Sequence, residues 1–157
     1  MRIATAVLAC ALAAVAQQFP AIEAENAREH RMKFPDGKAA VVVIGFTHAS
    51  QNQTKAWAQR LAGHYNLWSI AVLEDVPRLV RGMANHGIKS SVPADQRDQF
   101  LLVYKGEKEL KDAAGFSTPD DAYILIVDKS GAVKWKFHGP VTDAAMQQLK
   151  TAWDAGI

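Results

Sequence analysis

Four short runs of β-branched and other apolar residues constrain this chain more than anything else in it. Residues 39–46 (AAVVVIGF) and 67–73 (LWSIAVL) are continuously apolar, and 100–104 and 122–127 have the same character. A strand without a polar face has to be covered on both sides, which calls for a sheet with helices above and below it. A fifth run, 132–137, is different. It alternates, with Val133, Trp135 and Phe137 on one face and Lys134 and Lys136 on the other. That pattern suits a half-exposed strand near a sheet edge, guarded by lysines. Between the last two runs, Asp128-Lys129-Ser130-Gly131 reads as a hairpin turn, with Gly131 placed for a positive φ. The expected pairing is therefore 39–46 parallel to 67–73, with 122–128 antiparallel to the first and hairpinned to 132–137.

Helical signals fill the gaps. Ser50 with Gln53 forms a capping box that opens a helix to about His64, along which Trp57, Leu61 and Tyr65 or His64 recur at helical spacing. A second helix is expected from Asp75 and Pro77, with Val76, Leu79, Val80 and Met83 on one stripe. A short third spans about 107–114 and stops at Gly115, and a fourth starts at Thr142-Asp143 with Met146, Leu149 and Trp153 on one face. Residues 87–97, rich in Gly, Ser and Pro, read as a loop with room for a short helix after Pro93. Before the first buried strand, 19–34 reads as an irregular hairpin whose turn is supplied by Asp36-Gly37.

The N-terminus reads as an export signal. Arg2 precedes an apolar run over 3–16, and Ala14-Val15-Ala16 offers a cleavage site before Gln17. The run is shorter than the roughly 20 residues that span a bilayer. Residues 17–157 then make one domain. The one cysteine, Cys10, lies inside the apolar run, behind only a partial lipobox, so a lipidated N-terminus is the weaker reading. The processed chain therefore has no thiol, which argues against thiol-disulfide exchange and soft Cu(I) capture. With 18 Lys and Arg against 16 Asp and Glu, the formal net charge of +2 gives no footing for bulk nucleic-acid binding.

Strand, helix, strand, helix, an inserted strand and helix, then a hairpin and final helix make a mixed α/β sheet between two helical layers. This layout resembles the thioredoxin-like fold shared by peroxiredoxins, periplasmic TlpA-type proteins and Sco copper chaperones. Residues 122–133 (AYILIVDKSGAV) are similar to the strand-Asp-x-x-Gly-strand hairpin of that group, and Val43-Ile44-Gly45-Phe46-Thr47-His48 resembles the Sco approach to its metal site. The positions matching the Sco cysteines are Ala49 and Gln53, and those near a TlpA-type cysteine pair are Gln51 and Thr54. The position matching the family's cis-proline is near Ala122; Pro119 falls three residues early. Val76-Pro77-Arg78, Arg81-Gly82-Met83 and the strand carrying Trp135 resemble bacterial relatives of the mitochondrial factor that assists ATP synthase assembly. The resemblance implies a noncatalytic, chaperone-like protein.

Two functional classes follow. In the first, the chain is an exported, redox-inactive binding protein whose partner is another exported or membrane protein. Its surface would be Arg78, Arg81, Met83 and Lys89, a basic amphipathic face for a protein or for peripheral contact with anionic lipid. In the second, it is a cysteine-independent enzyme or metal-binding protein centred on His48, where Ser50, Gln51, Asn52 and Gln53 at a helix N-terminus could hold a ligand. No catalytic residue is assigned, and no cofactor or metal is indicated. His30, His48, His64, His86 and His138 show no i,i+2 or i,i+4 pair, and no GxSxG, Walker or Rossmann pattern occurs.

Overall fold

The computed structural model describes residues 16–157, so Cys10 and, but for Ala16, the segment read as an export signal lie outside the described residues. In chain order the elements are β1 (Ile22–Asn26), β2 (Arg31–Phe34), β3 (Ala40–Gly45), α1 (Gln51–Leu61), β4 (Leu67–Val72) and α2 (Arg81–Ser91). Then come β5 (Phe100–Val103), α3 (Glu107–Ala114), β6 (Tyr123–Val127), β7 (Val133–His138) and α4 (Asp143–Asp154). The strands form one seven-stranded sheet in the order β2-β1-β5-β4-β3-β6-β7. β3, β4 and β5 are parallel neighbours, whereas β6 is antiparallel to both β3 and β7.

The continuous apolar runs are buried on both faces because residues alternate between two cores. Val42, Ile44, Trp68, Ile70, Leu101 and Leu125 face one side, with Leu110 and Ala113 of α3 covering it. Val41, Val43, Leu67, Ile124 and Ile126 face the other, beneath Trp57 and Leu61 of α1 and Leu149 of α4. This gives three layers, as expected. β7 alternates between half-buried and exposed residues and closes the sheet at its edge. Its turn forms as the residues suggested: Gly131 has φ +85°, and Asp128 Oδ1 accepts from Ser130 N and Ala132 N.

Four local expectations are corrected. The β1–β2 hairpin turns at 27–30, not at Asp36-Gly37. Asn26, buried to 1% exposure, builds that turn by accepting from Arg28 N and His30 N and donating to Asp98 O. Asp36-Gly37 instead joins β2 to β3, with Lys38 N donating to Asp36 Oδ1. The helix expected from Asp75 begins only at Arg81, after a 3-10 turn over Arg78–Val80, and continues to Ser91 through residues read as a loop. The short helix expected after Pro93 is present as a further 3-10 segment, Ala94–Gln99. Finally, Ser50 does not cap α1; Thr47 caps the 3-10 turn His48–Ser50 that leads into it.

Candidate functional site

The end of β3 and the start of α1 hold the residues first considered for ligand binding. Gly45 lets the chain fold back here, since a Cβ on it would lie 2.9 Å from Ser50 Oγ and 3.2 Å from Thr54 Cγ2. Thr47 Oγ1 accepts from Ser50 N at 3.2 Å, and its own proton lies within reach of Pro119 O at 3.1 Å and Asp120 Oδ1 at 3.2 Å. Ser50 is buried, and its hydroxyl donates to Thr47 O at 2.7 Å, so it is spent on the turn and not offered to a ligand. Gln51 gives its carbonyl to Thr54 Oγ1, and Asn52 and His48 are exposed.

Gln53 is the one member of the expected set that makes a long-range bond. Its Oε1 accepts from Ala122 N at 2.8 Å and its Nε2 donates to Asp121 Oδ1 at 3.3 Å. The capping-box role assigned to it gives way to this bridge because the helix start is already capped by Thr47. The other oxygen of Asp121 meets His138 Nδ1 at 2.9 Å, and the His138 ring stacks on Tyr123 at 5.3 Å between centroids. Tyr123 in turn anchors the preceding loop, its hydroxyl accepting from Ser117 N and Thr118 N and donating to Thr118 O. Thr47, Gln53, Asp120, Asp121 and His138 thus form one polar bracket joining β3, α1, the β6 entry and β7. Sequence reasoning missed Asp121 and His138, which stand 17 residues apart. The antiparallel register that places Tyr123 opposite His138 is the signal that could have found them.

The His138 hydrogen bond, then that of Gln53, holds the Asp121 carboxyl below the ordinary aspartate range against the opposing cost of its partial burial. A depressed carboxylate pKa contributes stability above the unfolded-state value and loses it as pH falls through the folded value. Acid titration of unfolding, followed by circular dichroism, should therefore show a steeper loss below about pH 4 in the parent than in Asp121→Asn. Parallel curves would show that the pairing adds nothing to stability.

Among the described residues no ion pair joins His48 to a carboxylate, and no group of three or more His, Cys, Asp and Glu side chains could hold a metal. The second candidate surface is also rearranged. The inward stripe of α2 is Arg81, Ala84, Asn85, Ile88 and Lys89, all half-buried at helical spacing. Arg81 donates to Val76 O at 2.9 Å and lies 4.7 Å from the centroid of the Tyr104 ring; Tyr104 Oη bonds Asn85, and Lys89 pairs with Glu29 at 3.0 Å. Two of the three cations are thereby anchors. Leu79, Val80 and Met83, read from the spacing as one stripe, point to solvent, with Leu79 99% and Met83 80% exposed, so that of the candidate surface Met83 and Arg78 face outward while Arg81 and Lys89 do not. The cause is local: the 3-10 turn sets the phase of the stripe, and the bonds of Arg81 fix that side inward.

No protein-family model matches the chain, and neither does any curated protein. Solved structures do. The exposed lipoprotein thioredoxin of Streptococcus pneumoniae is similar with a TM-score of 0.57 at 15% identity, covering 84% of this chain and 99% of that one. A peroxiredoxin-like protein from Aquifex aeolicus gives 0.57 at 14% identity over 88% and 86%. A thiol-disulfide oxidoreductase from Bacteroides fragilis gives 0.54 at 11% identity over 86% and 98%. The protein has a thioredoxin-like fold. At the positions where the resemblance would place cysteines stand Ala49, Gln51, Gln53 and Thr54, and the described residues contain no thiol. Nor is any helix among them long and apolar enough to cross a membrane.

Proposed function

We propose that the protein is an exported, redox-inactive thioredoxin-like binding protein, acting in assembly or in a chaperone-like role. It engages another exported or membrane protein through the outer face of α2 and the turn before it. The observation that carries this reading is the full exposure of Leu79 beside Met83, on a helix whose inward stripe is largely polar. A soluble chain gains nothing by presenting such side chains together unless something covers them. Arg78, exposed beside them and with its side chain in none of the ion pairs or hydrogen bonds among the described residues, would orient the encounter with an acidic partner. The segment that matches the cysteine positions of the resemblance supports the same conclusion, since Ser50 and Gln53 there are spent on bracing the fold.

The test places a photo-cross-linkable residue at Leu79 or Met83, with Lys129 on the hairpin turn as control, in cells exporting the protein. Discrete protein adducts are expected from 79 and 83 and not from 129, reduced roughly tenfold by Arg78→Glu. Arg81 is unsuitable for charge reversal because it anchors α2. Equal labelling at all three positions would remove the surface. Disulfide reduction or peroxide consumption by the purified protein, at rates above a contaminant control, would remove the redox-inactive reading.

A further inference from the structure

Among the described residues the sheet ends at β7, and most of that edge carries no paired strand. Only its beginning is covered: Val133 N donates to Gln17 O at 2.8 Å, and Gln18 bridges Ala132. Gly139 N donates to Ala122 O at 3.0 Å. By antiparallel alternation, Phe137 and Trp135 turn their peptide groups toward β6, while Lys136 and His138 turn theirs to the open side. The irregularity between Ile126 and Val127 reconciles this phase with the outward N–H of Val133. The side chains flanking the edge are of two kinds. Lys134, Lys136 and His138 are exposed, and half-buried Trp135 and Phe137 line the face covered by α1 and α4, whereas Val133, beyond the irregularity, packs on the opposite one. The lysines are lightly held, Lys134 lying 3.7 Å from Asp128 and Lys136 meeting only the uncharged Gln17 side chain.

We propose that β7 accepts an extended peptide segment of a partner, in which acidic and apolar residues alternate, as an additional strand of the sheet. Backbone bonds to Lys136 and His138 would set its register. Its acids would lie beside Lys136, with the long Lys134 side chain at the adjoining irregularity adding positive charge, and its apolar residues would extend the layer of Trp135 and Phe137, because cross-strand neighbours share a face. Charge decides against a second copy of this chain. Antiparallel self-pairing would set the lysines beside their own counterparts, and like charges directly opposite are destabilising. This site is separate from α2 and does not depend on it.

The probe is a blocked octapeptide of alternating glutamate and valine, titrated into the isotope-labelled protein and followed by amide chemical shifts. Saturable shifts centred on Val133–His138 are expected, with affinity falling roughly tenfold in Lys134→Glu/Lys136→Glu. Lys136→Pro should act similarly, since it deletes an outward N–H and leaves the β6 ladder intact; continued exchange protection of the β6 amides verifies that the variant is folded. A lysine–valine octapeptide binding equally well would overturn the proposal, as would shifts confined to α2 or absent up to about 1 mM peptide. Amides of Lys136 and His138 already protected in the protein alone would overturn it too. They would show the edge covered by the residues preceding Ala16 or by a second copy, which sedimentation velocity separates.

Discussion

Replacing Trp57 with alanine is expected to cost about 3–5 kcal/mol of folding stability. The indole has no exposure, and it packs between α1 and the sheet with the Phe137 ring 5.6 Å away. Its Nε1 also donates to Gly139 O at 2.8 Å, tying α1 to the end of β7. Truncation removes the largest fully buried side chain of that core layer, opens a cavity and strands a carbonyl. For a domain of this size the melting temperature should drop by about 10 °C or more. Trp57→Phe separates the contributions: it keeps most of the packing, so its deficit of about 1–2 kcal/mol reports mainly the lost bond. Urea unfolding of both variants checks this. A Trp57→Ala deficit below that of Trp57→Phe would mean that the layer collapses around the gap.

Tyr123→Phe is expected to cost about 1–3 kcal/mol and to loosen one loop selectively. The tyrosine is wholly buried, and its hydroxyl serves Ser117 N, Thr118 N and Thr118 O, all on the segment that delivers Asp120 and Asp121 to the polar bracket. Phenylalanine preserves the stacking on Phe116 and His138. The backbone groups of 117 and 118 are left to water. Hydrogen exchange at Ser117 and Thr118 should therefore accelerate by roughly an order of magnitude, while the amides of β6 stay protected. Uniform acceleration across β6 would instead show that the hydroxyl supports the sheet as a whole.

Layer order and strand pairing were legible because burial on both faces imposes a composition that little else produces. Residues 39–46 and 122–127 announce central strands, and the alternation of Val133 to Phe137 announces an edge. The missing thiols were equally plain, since a residue type is read without knowing where it lies. The helix from Asp75 shows where such reading stops. Val76, Leu79, Val80 and Met83 form a stripe on paper, yet Arg81 turns the opposite side inward, bonding the nearby carbonyls of Val76 and Glu74 and lying over the Tyr104 ring that the fold brings to it. Hydrophobic periodicity assumes that the apolar face wins burial. Here a guanidinium over an aromatic ring and a Tyr104–Asn85 bond outweigh it.

The polar bracket was hidden for a related reason. Gln53 is one turn into a helix, Asp121 is in a loop, and His138 is at the end of an edge strand, so no local spacing unites them. The sheet, its two covering layers and the absence of a thiol from residues 17–157 could all be read from residue types, since they depend on which residues must leave water and which atoms are absent. The tertiary structure alone decided which polar groups meet and which apolar groups remain outside. Hydrogen bonds and ion pairs act over about 3 Å, and only the completed packing sets distances on that scale.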